Sequence, residues 1–216
     1  MRTIAHISDL HFGRVDCATL PALTAAIVAA KPDVVAVSGD LTQRARSKEF
    51  AAARQFLDTL PKPQIVVPGN HDIPLYNVLK RWLSPLKNFR RFFGSELEPF
   101  YIDEEIAVLG INTARSLTFK NGRINTRQVA ASCERLGQLK HGGVRILVSH
   151  HPFDMAAPDE TDDIVGRADM AMREFARCKV DVILTGHLHV SRISSSTTRY
   201  ALPGYSALFV QAGTAT

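Results

Sequence analysis

Several features are scarce in this 216-residue chain, and each shortage excludes something. No apolar run is long enough to cross a bilayer as a helix. The amino end does not read as a signal peptide: Met1-Arg2 leads at once into a short strand-like run and then Asp9, without the apolar core and cleavage site that secretion needs. A cytoplasmic location is expected. Cysteine is rare. Cys17, Cys133 and Cys178 are odd in number, far apart and outside CxxC spacing. Neither a disulfide framework nor a structural zinc site is expected from them, and they read as reduced, mostly buried thiols. Repeats and low-complexity tracts are missing too.

What is present is ordinary for a globular chain. Hydrophobic residues make up 45% and charged residues 22%, which argues against disorder. The length suits a single domain over 1–216 with a substantial core. The formal charge of +5 fits an anionic substrate, but equally nucleic acid or plain solubility, so it decides nothing alone.

Short apolar runs alternate with helix-like ones. Strands are expected over Thr3–Ser8, Val34–Ser38, Ile65–Val67, Ile106–Ile111, Arg145–Ser149, Val182–Thr185 and Ala207–Gln211. Helices are expected over Leu20–Lys31 behind Thr19, Lys48–Leu60 behind Ser47, Arg127–Leu139 behind Thr126, and Ala168–Cys178. This alternation predicts an α/β fold with a largely parallel sheet, and the strand-rich tail predicts a second sheet or an extension. Residues 74–100 break the pattern. They carry Tyr76, Trp82, Phe89, Phe92 and Phe93 beside Lys80, Arg81, Lys87, Arg90 and Arg91. They read as a cap-like insertion of short helices whose aromatics pack and whose cations face water; nucleic-acid binding is the weaker alternative.

Ligands of open α/β sheets collect at the carboxyl ends of strands. Five of the expected strands end on metal-capable side chains: Asp9 and His11, Asp40, Asn70-His71-Asp72, His150-His151, and His187 and His189. Residues two apart in an extended segment point the same way, so Asp9 with His11, and His187 with His189, can share a target. Gly39, Gly69 and Gly186 precede ligand positions, where the backbone must turn tightly. Mixed Asp, Asn and His donors without thiolate suit Mn, Fe, Co or Zn, and the donors outnumber the needs of one ion. Two ions would clamp the oxygens of a phosphoryl transfer.

In this order, DxH, GD, GNHD, HHP and GHxH resemble the calcineurin-like metallophosphoesterase superfamily, over Thr3 to His189. "HISDLHFG", "VSGDLTQRA", "VPGNHDIPLY" and "SHHPF" are most similar to its bacterial cyclic-nucleotide phosphodiesterase and glycerophosphodiesterase branch. The resemblance implies a four-layer α-β-β-α fold with mixed sheets. It implies one metal held by Asp9, His11 and His189, a second by Asn70, His150 and His187, and Asp40 bridging both. A hydroxide activated by the two ions would attack a small phosphodiester, a 3',5'-cyclic nucleotide being the first choice. His71 would stay off the metals and face the phosphate, with Asp72 orienting it. A homodimer is implied by resemblance alone.

Other residues have plainer readings. His6 lies inside a strand and reads as packing, and His141 reads as solvated in a Gly-rich turn. Arg14, Asn112 and His151 follow strand ends and are candidates for substrate contact. In related proteins further strands usually follow a segment like "VQAGTAT", so a truncated or short form is expected. The competing functions are a glycerophosphodiesterase, a broad-specificity phosphatase or nuclease, and a non-catalytic scaffold on the same fold.

Overall fold

Val34–Ser38 (β2) is apolar on both faces because both are covered. In the computed structural model, which describes every residue except 119, 141, 158 and 159, β2 lies between Ile4–Ile7 (β1) and Gln64–Val67 (β3) in a parallel three-stranded sheet. Alternate side chains of a strand face opposite ways. Val35 and Val37 enter a core with Ile27 of Leu20–Ala30 (α1) and Phe50, Phe56 and Leu57 of Ser47–Leu57 (α2). Val34 and Ala36 enter a different core, shared with Ile106, Val108, Ile146, Val148 and Leu184 of a second sheet.

That second sheet has six strands: Phe100–Ile102 (β4), Ile106–Gly110 (β5), Val144–Val148 (β6), Val182–Thr185 (β7), Arg192–Ser195 (β8) and Leu208–Gln211 (β9). Their order is β4-β5-β6-β7-β9-β8, with β4 and β8 antiparallel at the edges and the four inner strands parallel. The strand-rich tail therefore extends this sheet, and its last strand slots inside β8. A third core lies on the sheet's far face. There Leu109, Leu147 and Ile183 meet Val129 and Leu136 of Thr126–Leu136 (α5) and Met172 and Phe175 of Ala168–Arg177 (α6). Three cores between four layers make the α-β-β-α sandwich with mixed sheets. No helix among the described residues is long and apolar enough to cross a membrane.

Residues 74–100 form two short helices, Val78–Leu83 (α3) and Lys87–Phe93 (α4). Phe89 is buried, and Phe92 stacks at 6.2 Å on Phe50 of α2, so α4 rides on the outer helix layer. The expectation of packed aromatics and solvated cations holds in full only for this half. Around α3 it partly inverts: Arg81 is buried and Tyr76 and Trp82 are exposed, while Lys80 faces water as expected. The Arg81 guanidinium donates to the carbonyls of Pro74, Ser116 and Thr118, which three free carbonyls make worthwhile.

The helix starts shift slightly. Thr19 stands at the N-cap of α1 but its hydroxyl donates back to the Asp16 carbonyl. Ser47 is already helical, and Glu49 closes the start of α2 by accepting from the Arg46 amide. Asn125, not Thr126, caps α5, accepting from the Gln128 amide at 2.9 Å. The cysteine expectation is overturned. Packing of α5 on α6 brings Cys133 and Cys178 to a Cα–Cα distance of 5.4 Å, within disulfide reach, and they are bonded. They are 45 positions apart in the sequence, so local spacing carried no signal. Cys17 is free and exposed rather than buried. His141 lies outside the described residues.

Candidate functional site

The segments after β1, β2, β3, β6 and β7 meet at one edge of the sandwich. The first two loops are laced by backbone: the Asp9 amide donates to Gly39, His11 to Asp40 and Phe12 to Leu41. Asp9 and His11 do converge, as do His187 and His189, but strand alternation is not the reason. Asp9, His11, Asp40, His187 and His189 all have left-handed backbone, with φ between 46° and 77°. Such conformations are rare for residues with a Cβ and cluster where function demands a fixed direction. The glycines act by close approach. A Cβ on Gly69 would strike Asp40, and one on Gly186 would strike Ser8 and Asp9.

The side chains form two linked sets. Asp9 Oδ1 faces His189 Nε2 at 3.3 Å and His11 Nε2 at 3.7 Å. His150 Nε2 faces Asn70 Oδ1 at 3.0 Å and His187 Nδ1 at 3.2 Å. Asp40 Oδ2 stands between the sets, 3.9 Å from His11 Nε2 and 3.3 Å from His150 Nε2. Asp9, Asp40 and His150 are buried. Asp9 Oδ1 is buried and has no hydrogen-bond partner among the described residues, although burying a bare carboxylate oxygen is costly. Imidazole nitrogens also point at one another, His11 Nε2 and His189 Nε2 lying 3.2 Å apart. Converging lone pairs around an unpaired carboxylate oxygen fit divalent cations, and Asp9, His11 and His189, or Asp9, Asp40 and His150, could each hold one.

Charge in this cluster is strongly coupled. Burial would raise Asp40, but the imidazoles of His150, His71 and His11 hold its carboxyl well below the usual range. Burial works against a charged His150, yet Asp40 and Asp9 lift it to about 9. His187 is pushed down to about 4 by burial and the charge of His150. Burial lowers His11, and His6 falls to about 4 for the same reason. His6 packs within β1, its Nε2 2.8 Å from Ser38 Oγ, as read from the sequence.

His71 stands beside Asp40, which accepts its backbone N–H at 2.8 Å. Its Nδ1 is 2.9 Å from the Gln43 carbonyl. A carbonyl only accepts, so Nδ1 carries a proton. Asp72 does not touch the His71 ring. Its carboxylate accepts from the amides of Leu41, Thr42 and Gly69 and from the Thr42 hydroxyl, pinning the loop after β2 to the loop after β3. Burial and the Asp40 charge raise it to about 7. The expectation that Asp72 orients the His71 side chain is therefore corrected: the Gln43 carbonyl does so.

The substrate candidates also move. His151 is fully buried, with Nδ1 2.7 Å from Thr113 Oγ1 and Nε2 2.9 Å from the Lys120 carbonyl. Both ring nitrogens being engaged, it anchors the loop after β5 instead of facing substrate. Asn112 holds that same loop, accepting from the Ala114 amide with its side chain and from Gln128 Nε2 with its carbonyl. Arg14 is exposed and is not part of the pocket lining. The pocket itself, of about 360 Å³, is lined by Asn70, His71, Gln43, His187, His189 and Lys120 among others. Gln43 and Lys120 were missed. Lys120 pairs with Asp163 at 2.5 Å, and Asp163 Oδ1 lies 3.9 Å from His187 Nε2. Only the fold brings these two distant loops to the pocket.

A four-layer sandwich with carboxylates and imidazoles gathered at its strand ends defines a class of phosphoester-cleaving proteins, and the chain belongs to the calcineurin-like phosphoesterase family, whose model matches residues 2–191. A probable cyclic nucleotide phosphodiesterase of Synechococcus sp. is 26% identical over 97% of this chain and 82% of its own. A glycerophosphodiester phosphodiesterase of Enterobacter lignolyticus is 39% identical over a shorter stretch, 32% of this chain and 29% of its own. Among solved structures, a dimetal phosphatase from Danio rerio shares the fold with a TM-score of 0.65 and 13% identity, covering 99% of this chain and 88% of that one.

Proposed function

We propose that the chain is a hydrolase of small phosphodiesters that works with two divalent metal ions, a cyclic nucleotide being the first substrate to try. The observation that carries this reading is Asp40 Oδ2, set between His11 and His150 at the base of a pocket with His71 beside it. Asp9, His11 and His189 would hold one ion and Asn70, His150 and His187 the other, with Asp40 shared. When bound, such ions lower the pKa of water and neutralise charge on phosphoryl oxygens.

The chain's own groups supply the rest. The Nδ1 proton of His71 is committed to the Gln43 carbonyl, so it is the imidazolium form, with a second proton on Nε2, that would meet the phosphate or give that Nε2 proton to the leaving oxygen. Lys120 Nζ offers positive charge near His187. Asp72 keeps the strand-end loops in register. A diester is favoured over a monoester on charge: among the described lining residues Lys120 is the one Lys or Arg, and it already faces Asp163. That suits a monoanion better than a dianion. The names of the Synechococcus and Enterobacter relatives point the same way.

The test is hydrolysis of bis(p-nitrophenyl) phosphate beside p-nitrophenyl phosphate, with Mn²⁺ and with a chelator. Faster, chelator-sensitive cleavage of the diester is expected. A monoester preference would move the protein to the phosphatases, and no cleavage of either would overturn the catalytic reading.

A further inference from the structure

The short helix α3 faces the wrong way for a helix that only packs. At a hundred degrees per residue, Val78, Trp82, Leu79 and Leu83 share one face and Arg81 lies off it. Arg81 is the residue turned inward, held by the carbonyls of Pro74, Ser116 and Thr118. The apolar face is therefore locked towards solvent: Val78 is 71% exposed, Leu79 70%, Trp82 70% and Leu83 72%. The same clamp sets the segment 116–118 beside α3, where Leu117 is 75% exposed, and Tyr76 adds another 75%. Scattered apolar residues need no explanation, but a contiguous patch of this kind does.

Its surroundings say what covers it. Between Pro74 and Gly94 there are five cationic residues and no Asp or Glu. Lys80, Lys87, Arg90 and Arg91 are exposed, and none forms an ion pair among the described residues. A groove of about 430 Å³ runs from Leu83 to Lys87, Arg90 and Arg115, joining the apolar face to the basic one. We infer that α3 and the basic residues of α4 form a docking surface for an anionic phospholipid bilayer. Trp82, Leu79 and Leu83 enter the headgroup boundary, and Lys80, Lys87, Arg90 and Arg91 meet the phosphates. A second copy of the chain fits worse, because a two-fold contact would set these cations against their own copies. A nucleic acid fits worse, because the patch is mostly aliphatic: beside Trp82 and Tyr76, which could stack on bases, Val78, Leu79, Leu83 and Leu117 would be left uncovered by a polar strand. Leu75, which lines the pocket with His71, continues from the patch, so docking would bring the pocket mouth to the lipid surface.

Trp82 is the one tryptophan of the chain and reports on the patch directly. The experiment follows its emission, with sedimentation, as vesicles are added to the whole protein. With equimolar phosphatidylcholine and phosphatidylglycerol the emission shifts to shorter wavelength and the protein sediments with the lipid. With phosphatidylcholine alone it does neither. Lys87→Ala with Arg90→Ala weakens association roughly tenfold or more, and added salt does the same. Leu79→Asp abolishes association while leaving hydrolysis of a soluble diester unchanged. No association in a protein with intact circular dichroism overturns the inference. So does a spectral shift that follows protein concentration without lipid, which marks a second copy, or one seen with an oligonucleotide but not with vesicles.

Discussion

At the scale of single residues, the site depends on backbone directions that side chains of these types rarely adopt. Asp9, His11, Asp40, His187 and His189 each carry a left-handed φ, and each puts a donor atom into one small volume. The donors themselves were legible, because Asp and His at the ends of apolar strands have no use in a core. The conformation that gathers them was not, since extended geometry would also have placed residues two apart on one side. Roles set by contact were equally hidden. Asp72 follows His71 in sequence, yet its oxygens go to Leu41, Thr42 and Gly69. His151 follows His150, yet it is spent on Thr113 and Lys120. These contacts lead to a sharp expectation for His71. His71→Ala should lower turnover by roughly 10²–10⁴-fold, the usual loss of a general acid, with metal content unchanged. Metal analysis beside steady-state kinetics checks it, and a variant that loses its metals would make His71 a ligand.

At the scale of elements, strands were easier to read than helix ends. Val34–Ser38 and Val182–Thr185 fall where the apolar runs put them, because strands buried on both faces show as unbroken apolar sequence. Helix starts depend on one hydrogen bond, and several candidates sit side by side. Asn125 and Thr126 can each cap a helix; the structure uses Asn125. Asn125→Ala should cost about 1 kcal/mol. Phe50 is a harder case. It lies fully buried in α2 under the rings of Phe89, Phe92 and Phe93, so Phe50→Ala should cost about 3–5 kcal/mol through the cavity it leaves. Urea unfolding of both variants measures this, and a Phe50→Ala cost near that of Asn125→Ala would show that α4 is not anchored as described. The α3 helix marks the limit of pattern reading. Its apolar spacing looks like a core face, and only the burial of Arg81 shows that the face is outside.

For the whole molecule, alternation of strands and helices pointed to a parallel sheet flanked by helices; the four layers were implied by the family resemblance, and the strand order by neither. Nothing local places β9 between β7 and β8, or brings Cys133 to Cys178 across helix packing. The tail also ties down two tyrosines. The Tyr200 hydroxyl donates to the Phe153 carbonyl and Tyr205 to the Val180 carbonyl. Burial, with the nearby carboxylates of Asp169 and Asp181, raises both above the ordinary tyrosine range. In the unfolded chain these phenols ionise near pH 10, as free tyrosine does. Their contribution is therefore fully present below that pH and is lost as pH climbs, because the unfolded state sheds protons that the folded state keeps. Unfolding free energy should fall above about pH 10, and Tyr205→Phe should flatten the fall. An unchanged slope in that variant would remove Tyr205 from the explanation.

The proposed function turns on Asp40, whose Oδ2 stands between His11 and His150. The most direct measurement is the metal content of the purified protein after loading with Mn²⁺, for the parent chain and for Asp40→Ala, alongside diester hydrolysis. Two ions per parent chain are expected, with fewer in the variant and no turnover left. A parent chain that binds a single ion, or an Asp40→Ala protein that still hydrolyses the diester, would contradict a site built around a shared carboxylate.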